Sequence, residues 1–91
     1  MGRSPLQGGR SVHVVDTLSL VTSKVDGTVV VAACGEIDIA TGPELVAQVD
    51  DLVARGARSV VLDLRGVRFM DARGLGALMA ADSLLREADG R

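Results

Sequence analysis

The chain has 91 residues, enough for one small domain, and its formal net charge is −2. With no basic stripe and Phe69 as the only aromatic residue, it lacks the charge and the stacking surface of a nucleic-acid-binding protein. Its longest unbroken apolar run, Val29 to Cys34, is far short of the roughly 20 residues of a membrane helix, and the N-terminus has no signal-peptide apolar region, so a cytoplasmic protein is expected.

Residues 1–10 hold three glycines, a proline and two arginines, which predicts a disordered leader before a domain over residues 11–91. Ser11 to Asp16 reads as a short extended segment. His13 is the single histidine, with no partner in the local sequence to complete a catalytic pair or metal site, and reads as a bystander. Leu18 to Lys24 alternates Leu18, Leu20 and Thr22 on one face, as a half-exposed strand does. Thr28 to Ala33 is more continuously apolar and reads as a strand buried on both faces. Between them Val25-Asp26-Gly27 carries the Asp-Gly signal of a tight hairpin. Cys34 is the only cysteine, so no internal disulfide can form; at the end of an apolar strand it reads as a small core residue.

Gly35 to Asp38 leads out of that strand, and Thr41-Gly42-Pro43-Glu44 starts a helix. Thr41 is placed to cap free N–H groups, with Glu44 reaching back three residues later and Pro43 in the first turn. Leu45, Val49, Leu52 and Val53 form one apolar stripe, and Gly56 ends the helix. A crossover helix between two apolar strands is the βαβ signature, so Ser59 to Leu64 should run parallel to Thr28 to Ala33, and such crossovers are nearly always right-handed.

The stretch from Val60 to Met79 organises the chain. Val60 to Leu64 is the strand, Gly66 breaks it, and Phe69 and Met70 return to the core. Asp71-Ala72-Arg73-Gly74 forms a short polar loop, and a helix runs from about Gly74 to Ala88 with Leu75, Leu78, Met79 and Leu85 towards the sheet. This loop lies at the carboxyl end of a strand, where open α/β sheets place binding sites. Asp71 is suited to capping the second helix and also to contacting a partner. Asp63 has no neighbouring acidic cluster, and Gly74-Leu75-Gly76 lacks the third glycine of a dinucleotide fingerprint, since Met79 stands there. Asp38 should share the sheet end with Asp71, as part of a polar recognition rim rather than an acid–base pair. Arg73 opposes the dipole of the helix it enters, which favours a counter-charge from Asp71 or from a partner. No cofactor, metal or catalytic residue is expected.

The stretches GEIDIATGPEL (Gly35 to Leu45) and VVLDLRGVRFMDARGLGAL (Val60 to Leu78) resemble the two signature stretches of STAS domains, in particular those of bacterial anti-sigma-factor antagonists, with consistent spacing from about Leu18 to Gly90. The resemblance implies an α/β fold: a mixed sheet, built from an N-terminal antiparallel hairpin and a right-handed βαβ unit, with helices packed on it. It implies a non-enzymatic interaction module that binds an anti-sigma factor that is also a serine kinase. The implied contact surface is Asp38, Ile39, Ala40 and Thr41 together with Asp71, Ala72, Arg73, Gly74, Leu75 and Gly76.

Two departures stand out. The family loop typically reads Asp-Ser-Ser-Gly-Leu, with the second serine accepting phosphate. This chain has Asp71-Ala72-Arg73-Gly74-Leu75, so arginine occupies the acceptor position. The family also continues beyond the second helix with a further strand and helix, so the sequence predicts a domain that stops early and is either marginally stable or self-associating through an uncovered strand edge. The alternatives are a non-phosphorylatable scaffold that associates with other STAS proteins and a small nucleotide- or anion-binding protein that uses the second helix's N-terminus.

Overall fold

A computed structural model describes residues 10–89; the expected leader lies outside them except for Arg10. Four strands form one sheet in the order β1-β2-β3-β4: β1 (Ser11–Val15), β2 (Leu18–Val25), β3 (Thr28–Ile37) and β4 (Val60–Met70). Helix α1 (Gly42–Ala54) joins β3 to β4, and α2 (Ala72–Asp89) follows β4. β1, β2 and β3 pair antiparallel in sequence, and β4 runs parallel to β3. The mixed sheet with hairpin and crossover is therefore as expected.

Local chemistry accounts for the connections. Asp26 and Gly27 both have positive φ, 51° and 83°, which a two-residue turn between right-twisted strands requires and which Asp-Gly supplies at low cost. At the end of α1 the Gly56 N–H reaches the Val53 carbonyl and the Ala57 N–H the Leu52 carbonyl, both at 3.0 Å, so the last carbonyls are satisfied as the chain leaves the helix.

The core lies between one face of the sheet and the two helices. It contains Leu18 and Leu20 of β2, Val29, Val31, Ala33 and Ile37 of β3, Leu45, Val49 and Leu52 of α1, and Ala81 of α2. β3 is thus buried on one face only. Val30 and Ala32 are half-buried and Cys34 is exposed, so the two-sided burial expected for this strand and the core position expected for Cys34 are both corrected. The reason is topological: α1 and α2 pack on each other over the same side of the sheet.

β4 is longer than the sequence pattern suggested. It continues through Gly66 to Met70 because two extra residues are accommodated as bulges against β3: Ala32 pairs with Asp63 but Cys34 with Gly66, and Gly35 with Val67 but Glu36 with Phe69. Phe69 and Met70 then fall on opposite faces. Met70 packs on the core, while Phe69 is 51% exposed on the open face, so only one of the two returns inward.

α2 is rotated relative to its expected stripe. Leu75 and Met79 are 49% and 62% exposed, and Gly74, Ala81 and Ala88 are buried in their place, with Leu78, Leu84 and Leu85 half-buried. Close approach to α1 and to the end of β3 selects the small residues for the inner face. Asp82 is exposed and paired with Arg86 at 2.6 Å.

Asp63 has a basic partner two residues on. The Arg65 guanidinium donates to its two carboxylate oxygens at 2.9 and 2.8 Å, and the Arg65 N–H donates at 3.1 Å. These bonds, first of all those from the guanidinium, lower the Asp63 pKa from 3.8 to about 2. A carboxylate with a depressed folded-state pKa contributes stability above its unfolded pKa, and that contribution is lost as pH falls through the folded value. We expect the Asp63 carboxyl to titrate near pH 2 by NMR, and Arg65→Ala to move its midpoint up towards 3.8. An unmoved midpoint would show that the pair does not hold the charge.

Candidate functional site

Because β3 and β4 are parallel and end together, Ile37 opposite Met70, the two segments that follow them leave the same end of the sheet. Residues 38–41 form a compact turn. The Asp38 carboxylate accepts from the Ala40 N–H at 2.9 Å and the Thr41 N–H at 3.0 Å, and the Gly42 N–H donates to the Asp38 carbonyl at 2.7 Å. The backbone bond from Thr41 is the foremost cause of a lowered Asp38 pKa, opposed by partial desolvation. Asp38 is thereby held as an anion facing into its own turn.

Thr41 does not act as the helix cap. It is buried, its backbone is helical, and its side chain makes no capping bond. Its hydroxyl lies 2.8 Å from the Glu36 carbonyl, to which it donates, and accepts from the Asp38 N–H at 3.0 Å. Glu44 does not reach back to it; its carboxylate lies 3.3 Å from His13 Nε2, so the histidine has a partner that only the fold supplies. Thr41→Ala is expected to cost about 1–3 kcal/mol through the unsatisfied groups left behind, measured by urea unfolding; an unchanged midpoint would contradict this role.

The second segment is almost all helix. Only Asp71 lies between β4 and α2, and its carboxylate accepts from the Gly74 N–H at 2.8 Å, capping the helix. Ala72, Arg73, Gly74, Leu75 and Gly76 form the first turns of α2 rather than a loop. Gly74 is pressed against the end of β3: a Cβ there would lie 1.9 Å from the Ile37 carbonyl oxygen. On the α1 side a Cβ at Gly42 would lie 2.8 Å from the Ala77 Cβ. These two contacts clamp the starts of both helices to each other and to the sheet.

The structure therefore brings the ten expected positions to one end of the sheet, in two roles. Thr41 and Gly74 are buried and hold the rim in place. Ile39, Ala40, Ala72, Arg73, Leu75 and Gly76 are exposed, with Asp38 and Asp71 half-buried between them. Ile39 is 62% exposed, beside the apolar Ala40 on the 38–41 turn. The Arg73 guanidinium forms no ion pair among the described residues, and Arg73 lines an open groove of about 600 Å³ between α1 and α2.

The α1 wall of that groove, Pro43, Val46, Ala47 and Asp50, was missed in the sequence. The signal was present: these positions recur at the spacing of one helical face, beside the buried stripe. The groove is apolar at Ile39, Val46 and Leu84 and charged at its margin through Asp38, Asp50 and Arg73. Among the described residues no group of three His, Cys, Asp or Glu side chains could hold a metal ion, and no helix is long and apolar enough to cross a membrane.

The protein-family profile described as "Mlab, STAS domain" matches residues 20–91. The chain belongs to the STAS-domain family. This STAS domain superposes on an anti-sigma factor antagonist from Mycobacterium paratuberculosis with a TM-score of 0.68, at 33% identity, covering 77% of this chain and 60% of that one. It also superposes on the anti-sigma factor antagonist SpoIIAA in its unphosphorylated form, with a TM-score of 0.58 at 21% identity over 91% of this chain and 68% of the other, which supports the fold. This STAS domain thus spans 60% of the length of the mycobacterial antagonist. No curated protein matches it significantly.

Proposed function

We propose that this STAS domain is an anti-sigma-factor antagonist-like interaction module that binds an anti-sigma factor kinase through the exposed rim of Asp38, Ile39 and Ala40 with Asp71, Ala72, Arg73, Leu75 and Gly76. In this reading it acts by occupancy and not by catalysis, and it carries no phospho-switch at the acceptor position. The observation that carries the reading is the clamped pair of turns at one end of the sheet, presenting Ile39 and Arg73 to solvent; in this reading Arg73 stands at the position of the family's acceptor serine. The likeness to a mycobacterial anti-sigma factor antagonist supports it.

The anion-binding alternative is disfavoured by the same geometry. A phosphate bound at the start of α2 would need the free N–H groups there, but the Asp71 carboxylate already takes that of Gly74 and would repel a second anion. The scaffold alternative keeps the surface and changes the partner to another STAS protein.

Calorimetric titration against anti-sigma factor kinases tests the reading. A few buried anchors near the centre of an interface carry most of its binding energy, and Ile39 is the large apolar side chain that the 38–41 turn offers as one. Ile39→Asp is therefore expected to weaken binding by at least about tenfold, or about 1.4 kcal/mol, with an unchanged circular dichroism spectrum. Equal affinity in the variant would place the interface elsewhere, and binding only to other STAS proteins would favour the scaffold.

A further inference from the structure

Two polar side chains are fully buried among the described residues, Thr22 and Thr41. Thr22 lies in the core and accepts from the Gln48 amide of α1 at 3.3 Å. Thr41 lies at the foot of the rim, 1% exposed and out of reach of any partner. Its hydroxyl joins three points of the chain. It donates to the Glu36 carbonyl near the end of β3 at 2.8 Å and accepts from the Asp38 N–H at 3.0 Å. It also lies 3.2 Å from the Asp38 carboxylate oxygen that takes the Ala40 and Thr41 N–H groups. These bonds fall on both sides of Ile39, and none of them involves an Ile39 atom. Ile39 is 62% exposed, which leaves little packing to fix it. Its direction is set by its neighbours.

We propose that Thr41 is a positioning residue for partner binding: it ties the 38–41 turn to the end of β3 and so holds Ile39 in the direction that the partner meets. The inference rests on the interaction reading above and adds to it a residue that acts without touching the partner. Ordering a loose backbone at the moment of binding costs conformational entropy. When the competent form is populated for only a fraction of the time, the apparent dissociation constant is the intrinsic one divided by that fraction. Thr41 keeps the fraction high before the partner arrives.

Without the hydroxyl, the Asp38 N–H and the Glu36 carbonyl lose this shared partner. The remaining bonds of the turn are local: the Asp38 carboxylate to Ala40 and Thr41, and the Gly42 N–H to the Asp38 carbonyl. They close the turn on itself but do not tie it to β3, so it can swing as a unit and take Ile39 with it. The bound complex is the same in either case, so the loss falls on the association rate. A destabilised domain that stays folded, with its turn intact, binds at its normal rate. That difference separates positioning from stability alone.

Amide hydrogen exchange reads the free protein first. Thr41→Val keeps the shape and removes the hydroxyl. It is expected to speed exchange at the Asp38 N–H at least about tenfold beyond any change shared by the β2–β3 ladder. Thr41→Ser, which keeps the hydroxyl, should restore the slow exchange. Stopped-flow binding to anti-sigma factor kinases should then show association slowed at least about tenfold in Thr41→Val, with dissociation unchanged and recovery in Thr41→Ser. Val29→Ala, in a buried site at the opposite end of β3, lowers stability and should leave both rates alone. Should Thr41→Val fail to fold, Asp38→Ala loosens the same turn by removing the acceptor of the Ala40 and Thr41 N–H groups. It is expected to slow association likewise, and Asp38→Asn, which keeps an acceptor oxygen, to restore it. Unmoved exchange at Asp38, a loss carried by dissociation, no recovery with serine, or equal slowing in Val29→Ala would each overturn this proposal while the interaction reading stands. A natural chain that binds no such kinase overturns that reading, and this inference with it.

Discussion

Gly74→Ala is expected to destabilise the domain by about 3 kcal/mol, towards the upper end for overpacking a filled site. The same change at an unhindered helix position gains up to about 1 kcal/mol, because alanine is the better helix former. The sign is decided by where the added methyl goes. At Gly74 it would lie 1.9 Å from the Ile37 carbonyl oxygen and 2.6 Å from its carbon, and backbone atoms cannot swing aside as a flexible side chain can. α2 must then lift from β3, which also opens the contact between Gly42 and Ala77 and separates the two halves of the rim. Two residues on, Gly76 has nothing within 4 Å of its added methyl and serves as the internal control. Urea unfolding of the two variants should move in opposite directions, and a loss of about 3 kcal/mol is a large share of the 5–15 kcal/mol typical of a small domain. Should Gly74→Ala stabilise as Gly76→Ala does, the close packing of α2 on β3 is wrong.

Arg73→Ser is expected to convert a chain that takes up no phosphate at this position into one that takes up one. Arg73 is exposed in the first turn of α2, two residues after the capping Asp71, so a hydroxyl introduced there is open to a serine kinase. Arginine cannot accept the phosphate, and its charge has the opposite sign, so it does not imitate the phosphorylated state either. A phosphate would bring nearly two negative charges to a rim that already holds Asp38 and Asp71, and the resulting repulsion is a direct route to releasing a partner. The natural chain is expected to keep the same partner affinity before and after incubation with kinase and ATP, whereas the variant should lose affinity as intact-mass spectrometry shows one phosphate added. A smaller effect accompanies this one: removing a cation from a helix N-terminus should stabilise the variant by about 0.3–1 kcal/mol at low salt. Stoichiometric phosphorylation of the natural chain, for example at Ser83 or Thr41, would end the idea of a protein uncoupled from the switch.

Much of this was legible from short-range chemistry. The Asp26-Gly27 turn, the stop at Gly56, the cap at Asp71 and the inward stripe of α1 each depend on backbone demands met within one or two turns of chain, so the residues there announce them. The parallel pairing of β3 with β4 followed from the crossover helix between two apolar strands, and with it the meeting of residues 38–41 and 71–76 at one end of the sheet. What the local pattern could not decide was which side of an element faces what. Thr41 has the identity and position of a cap, yet its hydroxyl goes to the Glu36 carbonyl because the turn at Asp38 brings that carbonyl within 2.8 Å. Met79 and Leu75 look like core residues, yet α2 turns Gly74, Ala81 and Ala88 inward, and at Gly74 the Ile37 carbonyl leaves no room for a side chain. Cys34 and Phe69 face outward because both helices cover the same side of the sheet and the bulges in β4 set the alternation. Facing is a property of the contacts between elements distant in sequence, and it emerges only when those elements compete for the same space.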